Sequence, residues 1–250
     1  AALCLDEEGM PFKGRLRVLQ GCGGRIERLP IGGLALHPYN NFAIGSVFTR
    51  SFTKDSLPMA YMSRAHTLLD QAARYGRIPR GRGIYVTEFG FQSAPPNPFG
   101  DALSLSRHAA AINEADRLFW GDRRVRSVAQ YELYDVGNPG EFNTGLRFAE
   151  GERKPAFDAY RMPLVVSRLS ADRVEVWGQV RPAGGRTQVT VESAGTLVGR
   201  PATNAAGFYR FVVRRSGAAS SRYSANWTAP DGETLRSRVA SAGRPIKYRE

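Results

Sequence analysis

Residues 83–90 read Gly83-Ile84-Tyr85-Val86-Thr87-Glu88-Phe89-Gly90. Aromatic and β-branched residues run between two glycines, the composition of a short strand with turns at its ends. Working outward, residues 56–75 place Leu57, Tyr61, Ala65, Leu68, Leu69 and Ala72 at helical spacing. Asp55 or Ser56 stands where a cap belongs, Pro58 suits a first turn, and Gly76 suits the stop. On the other side Pro95, Pro96 and Pro98 mark a loop, and residues 104–120 carry Ala109, Ile112, Ala115 and Phe119 on one stripe, ending at Gly121. Residues 31–37 and 125–133 are strand-like, and a short helix is expected over 155–160. Strands alternating with long helices predict a parallel sheet with crossover helices.

Beyond Pro163 the period changes to two, in Val174, Val176, Gly178 and Val180 and again in Val189 and Val191. Turn signals stand at Pro182-Ala183-Gly184-Gly185, Asn204-Ala205-Ala206-Gly207 and Pro230-Asp231-Gly232. This pattern predicts a small antiparallel β-sandwich of about six or seven strands. The expected organisation is α/β plus all-β: residues 1–162 form a β/α unit and residues 163–250 an accessory sandwich. The Asn226-Trp227-Thr228 sequon reads as a strand triplet.

At 250 residues, 42% hydrophobic and 23% charged, the composition excludes disordered, collagenous and coiled-coil classes. No apolar run approaches the ~18 residues a spanning helix needs. The net charge of +12 comes almost wholly from scattered arginines, with Lys13, Lys54, Lys154 and Lys247 as the lysines. Clusters such as Arg123-Arg124-Val125-Arg126 lack interleaved aromatics or a groove-reading motif, which argues against nucleic acid as the partner. Anionic glycans or cell-wall polymers fit the same charge equally well.

Cys4 and Cys22 flank a polar, Gly-rich segment, and their spacing points to a loop-closing disulfide contributing on the order of 3 kcal/mol. Two free thiols are the alternative. A bridge implies export, to the medium or the cell surface. His37, His66 and His108 are too dispersed to complete a zinc site, and no metal or cofactor is expected.

In a β/α barrel the working residues stand at the C-terminal ends of the strands. Glu88 shares alternation parity with Ile84 and Val86, which predicts that it points with them into the barrel mouth. His37 and Tyr39, two residues apart on one face, offer a ring nitrogen and a phenol to hold a neighbouring carboxylate. Gln130, Tyr131, Glu132, Tyr134 and Asp135 form a polar and aromatic strand end of the kind that binds sugar rings. Each has a structural alternative: Glu88 as a salt-bridged acid, His37 as a core histidine, Tyr39 as packing, Glu132 and Asp135 as loop braces.

These residues resemble the C-terminal half of a retaining glycoside hydrolase of the large (β/α)8 clan that includes the family 5 and family 39 enzymes. The resemblance covers about residues 31–161. It rests on His37-x-Tyr39 as the sixth strand end, Thr87-Glu88-Phe89-Gly90 as the seventh, and Gly145-Leu146 through Lys154-Pro155-Ala156-Phe157 as the closing segment. It implies a TIM-type barrel represented by its last three or so βα units, with Glu88 as nucleophile, Tyr39 hydrogen-bonded to it, and His37, Gln130, Tyr131, Glu132 and Tyr134 toward a carbohydrate substrate. The clan places a Trp on its eighth strand, where this sequence has Tyr131 and Tyr134.

Retaining hydrolysis needs two carboxyl groups about 5 Å apart. The clan carries its acid/base on an Asn-Glu pair ending the fourth strand. Asn113-Glu114 falls in mid-helix and downstream of Glu88, so its context and order are both wrong. A full barrel takes ~250 residues, so the expectation is a chain starting near the fifth strand, with the acid/base upstream of Ala1 and no efficient hydrolysis by residues 1–250 alone. The competing expectation is a non-catalytic carbohydrate-binding or cell-surface protein on a degenerate barrel.

Overall fold

A computed structural model describes residues 3–40, 45–49, 56–98, 100, 102–138, 141–214 and 222–249. The chain is mixed α/β with several sheets. In order it forms α1 (Gly14–Leu19), β1 (Gly33–Leu36), α2 (Ser63–Arg74), β2 (Gly83–Phe89), the short β3 (Ser93–Ala94) and β4 (Leu103–Ser104), α3 (Leu105–Trp120), β5 (Val125–Gln130) and α4 (Pro155–Arg161). The antiparallel part follows: β6 (Leu164–Arg168), β7 (Arg173–Gln179), β8 (Thr190–Ser193), β9 (Thr196–Gly199), β10 (Phe208–Arg214), β11 (Arg222–Thr228), β12 (Thr234–Arg236) and β13 (Ala240–Ser241).

The first sheet runs β1-β2-β5, with both pairings parallel. Its connections are α2 and α3, and the apolar faces of these helices supply one core with the strands: Ala65, Leu69 and Ala72 from α2, Ile112, Ala115 and Phe119 from α3, Ile84, Val86 and Phe89 from β2. α3 starts where expected, because the Ser104 side chain accepts from the Arg107 N–H and fills a first-turn vacancy. α2 starts seven residues later than the Ser56 expected from spacing, at Ser63. Pro58 is extended, and the Met59 N–H bonds the Pro38 carbonyl. Burial of Met59, Ala60 and Met62 anchors that segment against the core before the helix begins. Asp55, the other cap considered, lies outside the described residues.

β5 also ends earlier than its sequence pattern implies. After Tyr131, whose N–H still donates to the Phe89 carbonyl at 2.8 Å, the backbone leaves β2 and pairs with residues 145–147: Leu146 N–H donates to the Glu132 carbonyl, Arg147 N–H to Leu133, and Asp135 N–H to Arg147. Gly145 permits this approach, since a Cβ there would stand 2.5 Å from the Asp135 nitrogen.

Residues from Leu164 onward form two antiparallel sheets, β10-β7-β6 and β12-β11-β8-β9 with β13 beside β11. Both contribute to a second core containing Val174, Val176, Val180, Val189 and Val191. Phe211 and Val213 are only partly buried, because β10 is an edge strand. Trp227 is half-covered and donates from Nε1 to the Thr187 hydroxyl at 2.8 Å. Asn113, fully buried in α3, joins this part to the helices: it donates to the Ala159 carbonyl at 2.8 Å, and its Oδ1 accepts from Leu164 N–H at 3.1 Å. That is a structural role, consistent with setting Asn113-Glu114 aside as catalytic.

Cys4 and Cys22 are disulfide-bonded, with Cα atoms 5.7 Å apart. The loop they close lies against α2, where a Cβ on Gly9 would meet the Gln71 side chain at 2.9 Å. Among the described residues no helix is long and apolar enough to cross a membrane.

Candidate active site

The β2 strand delivers Glu88 by a route that alternation does not foresee. Ile84, Val86 and Phe89 are all fully buried in the helix-side core, although Val86 and Phe89 are of opposite parity. The register with β5 explains this: Val86 pairs with Val128 and Phe89 with Gln130, so β2 spends one extra residue between the two pairs. Such a bulge re-aims the side chains beyond it. Glu88 therefore departs from Ile84 and Val86, correcting the parity expectation, and lies with exposed Thr87 on the open face of the sheet.

On that face Tyr39 Oη donates to Glu88 Oε2 at 3.1 Å, and His37 Nδ1 lies 3.5 Å from the same oxygen. Both partners follow the end of β1, which pairs with β2 in the register Leu36 to Val86. The carboxylate remains 34% exposed and His37 51% exposed, so the group looks onto solvent. Burial, then the Glu88 charge, push the Tyr39 phenol well above the ordinary tyrosine range. It stays protonated and is therefore a permanent donor to the carboxylate.

Tyr131 and Glu132 complete the neighbourhood. Phe142, which sequence reasoning missed, stacks edge-on against Tyr39 at 5.5 Å and against Tyr131 at 5.7 Å. The Glu132 charge raises the Tyr131 phenol, with burial and Glu88 adding to it. Glu132 is itself raised, first by burial and then by Asp135, against an opposing pull from Lys154. Its Oε1 is buried with no hydrogen-bond partner among the described residues.

The remaining predicted positions serve other ends. Gln130 donates its amide to the Thr144 carbonyl at 2.8 Å and the Tyr131 carbonyl at 3.1 Å, bracing the turn after β5. Tyr134 is exposed, with the Arg147 guanidinium 6.0 Å above its ring. Asp135 is locked by Lys154 Nζ at 2.7 Å and by Gly145 N–H at 2.9 Å. Lys154 also donates to Ser93 Oγ at 2.8 Å, and both ion-pair side chains are fully buried. Burial raises Asp135 and lowers Lys154, and their mutual attraction opposes both shifts. Nearby His108 is held neutral, pushed down to about 3 by burial and then by the Lys154 charge. No local sequence signal links Asp135 to Lys154, because the turn after β5 creates the contact.

Gly90 explains the end of the Thr87-Glu88-Phe89-Gly90 stretch. A Cβ there would stand 2.3 Å from the Tyr131 carbonyl oxygen and 2.9 Å from Thr144 Cβ. Only glycine lets the chain after Glu88 pass this close to the Tyr131–Glu132 segment.

No family model matches the chain, and no curated protein matches it. Among solved structures, β-glucuronidase from Bacteroides uniformis is similar over 74% of this chain and 25% of its own, at 14% identity and a TM-score of 0.33. An FMN-binding β-glucuronidase from Faecalibacterium prausnitzii L2-6 is similar over 74% and 30%, also at 14% identity and 0.33. A calcium-binding mutant of Bacteroides uniformis β-glucuronidase 2 is similar over 86% and 26%, at 14% identity and a TM-score of 0.37. The chain thus spans between a quarter and a third of the length of these proteins, and superpositions at these scores carry no functional argument.

Proposed function

We propose that residues 1–162 are the nucleophile-bearing arc of a β/α barrel in a retaining O-glycoside hydrolase, followed by a β-sandwich accessory unit over 163–250, and that the protein acts outside the cell on an oligo- or polysaccharide. The observation that carries this reading is the group formed by Glu88, Tyr39 and His37 at the C-terminal ends of adjacent parallel strands, with the carboxylate open to solvent.

In this mechanism the Glu88 carboxylate attacks the anomeric carbon as the bond to the leaving oxygen breaks, forming a glycosyl ester. The leaving oxygen takes the bonding pair and requires a proton unless it is already a stable anion. Water then attacks the same anomeric carbon, the bond from that carbon to Glu88 breaks with its electron pair returning to the carboxylate, and the water's surplus proton passes to a base or to solvent. Tyr39 holds Oε2 so that the other oxygen is free to attack, and His37 and Tyr131 border the bound sugar. Asp135 is set apart from a substrate on the open face because its side chain is fully buried, with Oδ1 held by Lys154. Glu132 has the raised affinity for a proton that an acid requires, but one of its oxygens is turned inward, and its place is in the substrate-facing wall. The disulfide between Cys4 and Cys22 supports an oxidising compartment.

Glu88→Gln tests the assignment: in the complete enzyme turnover disappears while folding and sugar affinity persist. Full activity in that variant rejects the nucleophile. A variant that binds glycans as the parent does, where the parent shows no turnover in any context, favours the carbohydrate-binding alternative.

A further inference from the structure

A cavity of about 480 Å³ opens between α3, β6 and the C-terminal segment, and none of its walls belongs to the Glu88 group. Five cations line it, Arg107, Arg238, Arg244, Lys247 and Arg249, against one carboxylate, Glu114. Glu114 is engaged by Arg107 at 3.5 Å. Among the described residues no acid forms an ion pair with Arg238, Arg244 or Lys247.

Arg238 is fixed before any ligand arrives. Its Nε donates to Asn113 Oδ1 at 3.1 Å, and its terminal nitrogens donate to the Val239 and Leu164 carbonyls at 3.2 and 3.3 Å. All these acceptors are neutral, so the guanidinium charge is oriented without being cancelled. Burial lowers its pKa, Glu114 opposes that, and the Arg107 charge adds to the lowering. Two guanidinium groups repelling one another across a concave site are the arrangement that an incoming anion relieves.

We infer that this cavity binds an anionic carbohydrate, whose carboxylate or sulfate groups meet Arg238, Arg244 and Lys247 while its hydroxyls donate to Glu114. The volume suits one or two sugar units and exceeds what a free phosphate fills. Glu114 favours a ligand that brings hydroxyl donors along with its charge, and it disfavours a uniformly charged phosphate backbone. Nucleic acid is further disfavoured because Phe48, the aromatic residue in the lining, is covered by the Arg249 guanidinium 5.8 Å from its ring. The inference is independent of the hydrolase reading, since it uses none of that group's residues.

Calorimetric titration of the full chain with tetragalacturonate, a heparin-derived tetrasaccharide, maltotetraose, inorganic phosphate and a single-stranded DNA octamer tests it. At least one of the two anionic tetrasaccharides binds, and which one identifies carboxylate or sulfate as the recognised group. Its affinity falls roughly tenfold or more in the Arg244→Gln/Lys247→Gln double variant, as expected for two lost charge-assisted contacts. Both side chains are exposed, so the variant keeps its fold. Glu88→Gln leaves the affinity unchanged, which separates this site from the proposed active site. Three results overturn the inference: no binding of either anionic sugar, equal binding by the double variant, or phosphate, maltotetraose or DNA binding at least as tightly.

Discussion

The Tyr39 hydroxyl donates a 3.1 Å hydrogen bond to Glu88 Oε2 across 49 positions of sequence. A hydrogen bond to a charged acceptor contributes about 1.5–3 kcal/mol, and each 1.36 kcal/mol is tenfold in rate. Tyr39→Phe is therefore expected to lower the melting temperature by several degrees and, because the carboxylate loses the donor that positions it, to slow formation of the glycosyl-enzyme about tenfold or more. Rapid-quench measurement of the first turnover checks this, and an unchanged rate would remove Tyr39 from the proposed mechanism.

Alkaline pH should destabilise the fold through three tyrosines. Burial raises Tyr39, Tyr209 and Tyr248, with Glu88 assisting at Tyr39 and the hydrogen bond to Asp122 at Tyr248. A folded-state pKa above the unfolded value means that the folded chain keeps protons the unfolded chain releases. The corresponding stability is complete below the ordinary tyrosine pKa of about 10 and is lost progressively as pH rises above it. The melting temperature is expected to fall from pH 10 to 11.5, and less steeply in Tyr248→Phe. Parallel slopes for parent and variant would contradict the assignment.

Lys154→Met should be among the most damaging single changes. It leaves the Asp135 carboxylate, fully buried, without its cation, at a cost of about 3–5 kcal/mol. Removing both charges in Lys154→Met/Asp135→Leu should restore much of that loss. Denaturant unfolding of the three proteins gives the comparison, and a double variant no more stable than the single one would show that the pair does not act as a unit.

Much of this was legible in the sequence where the signal is local. Ser104 is the kind of residue that caps a helix, the alternation beyond Pro163 demanded sheets covered on one face, and Cys4 and Cys22 stood at a bridgeable spacing. The meeting of His37, Tyr39 and Glu88 followed from the fixed separation of adjacent parallel strands. What escaped depends on register and long-range closure. The extra residue in β2 between Val86 and Phe89 has no compositional mark, so simple alternation grouped Glu88 with Ile84 and Val86, which turn instead into the helix-side core. Phe142 and Lys154 reach the site only because residues 131–135 pair with residues 145–147.

Gly90→Ala is predicted to cost about 1–3 kcal/mol by overpacking, because the new methyl meets the Tyr131 carbonyl and Thr144. The displacement should also reach the proposed sugar-facing wall, so sugar affinity should drop even where the protein remains folded. Calorimetric melting combined with glycan titration reads both effects, and a variant as stable as the parent would show that the Tyr131 segment yields freely.

The central claim is that Glu88 attacks an anomeric carbon, and covalent trapping reads that event directly. A panel of 2-deoxy-2-fluoroglycosyl fluorides supplies a leaving group that departs without protonation, so nucleophilic attack is observed whether or not an acid catalyst assists. After incubation and peptide mapping by mass spectrometry, one member of the panel is expected to leave a fluoroglycosyl ester on Glu88 and none in Glu88→Gln. An adduct on Glu132 or another carboxylate, or persistence of the same adduct in Glu88→Gln, would contradict the account.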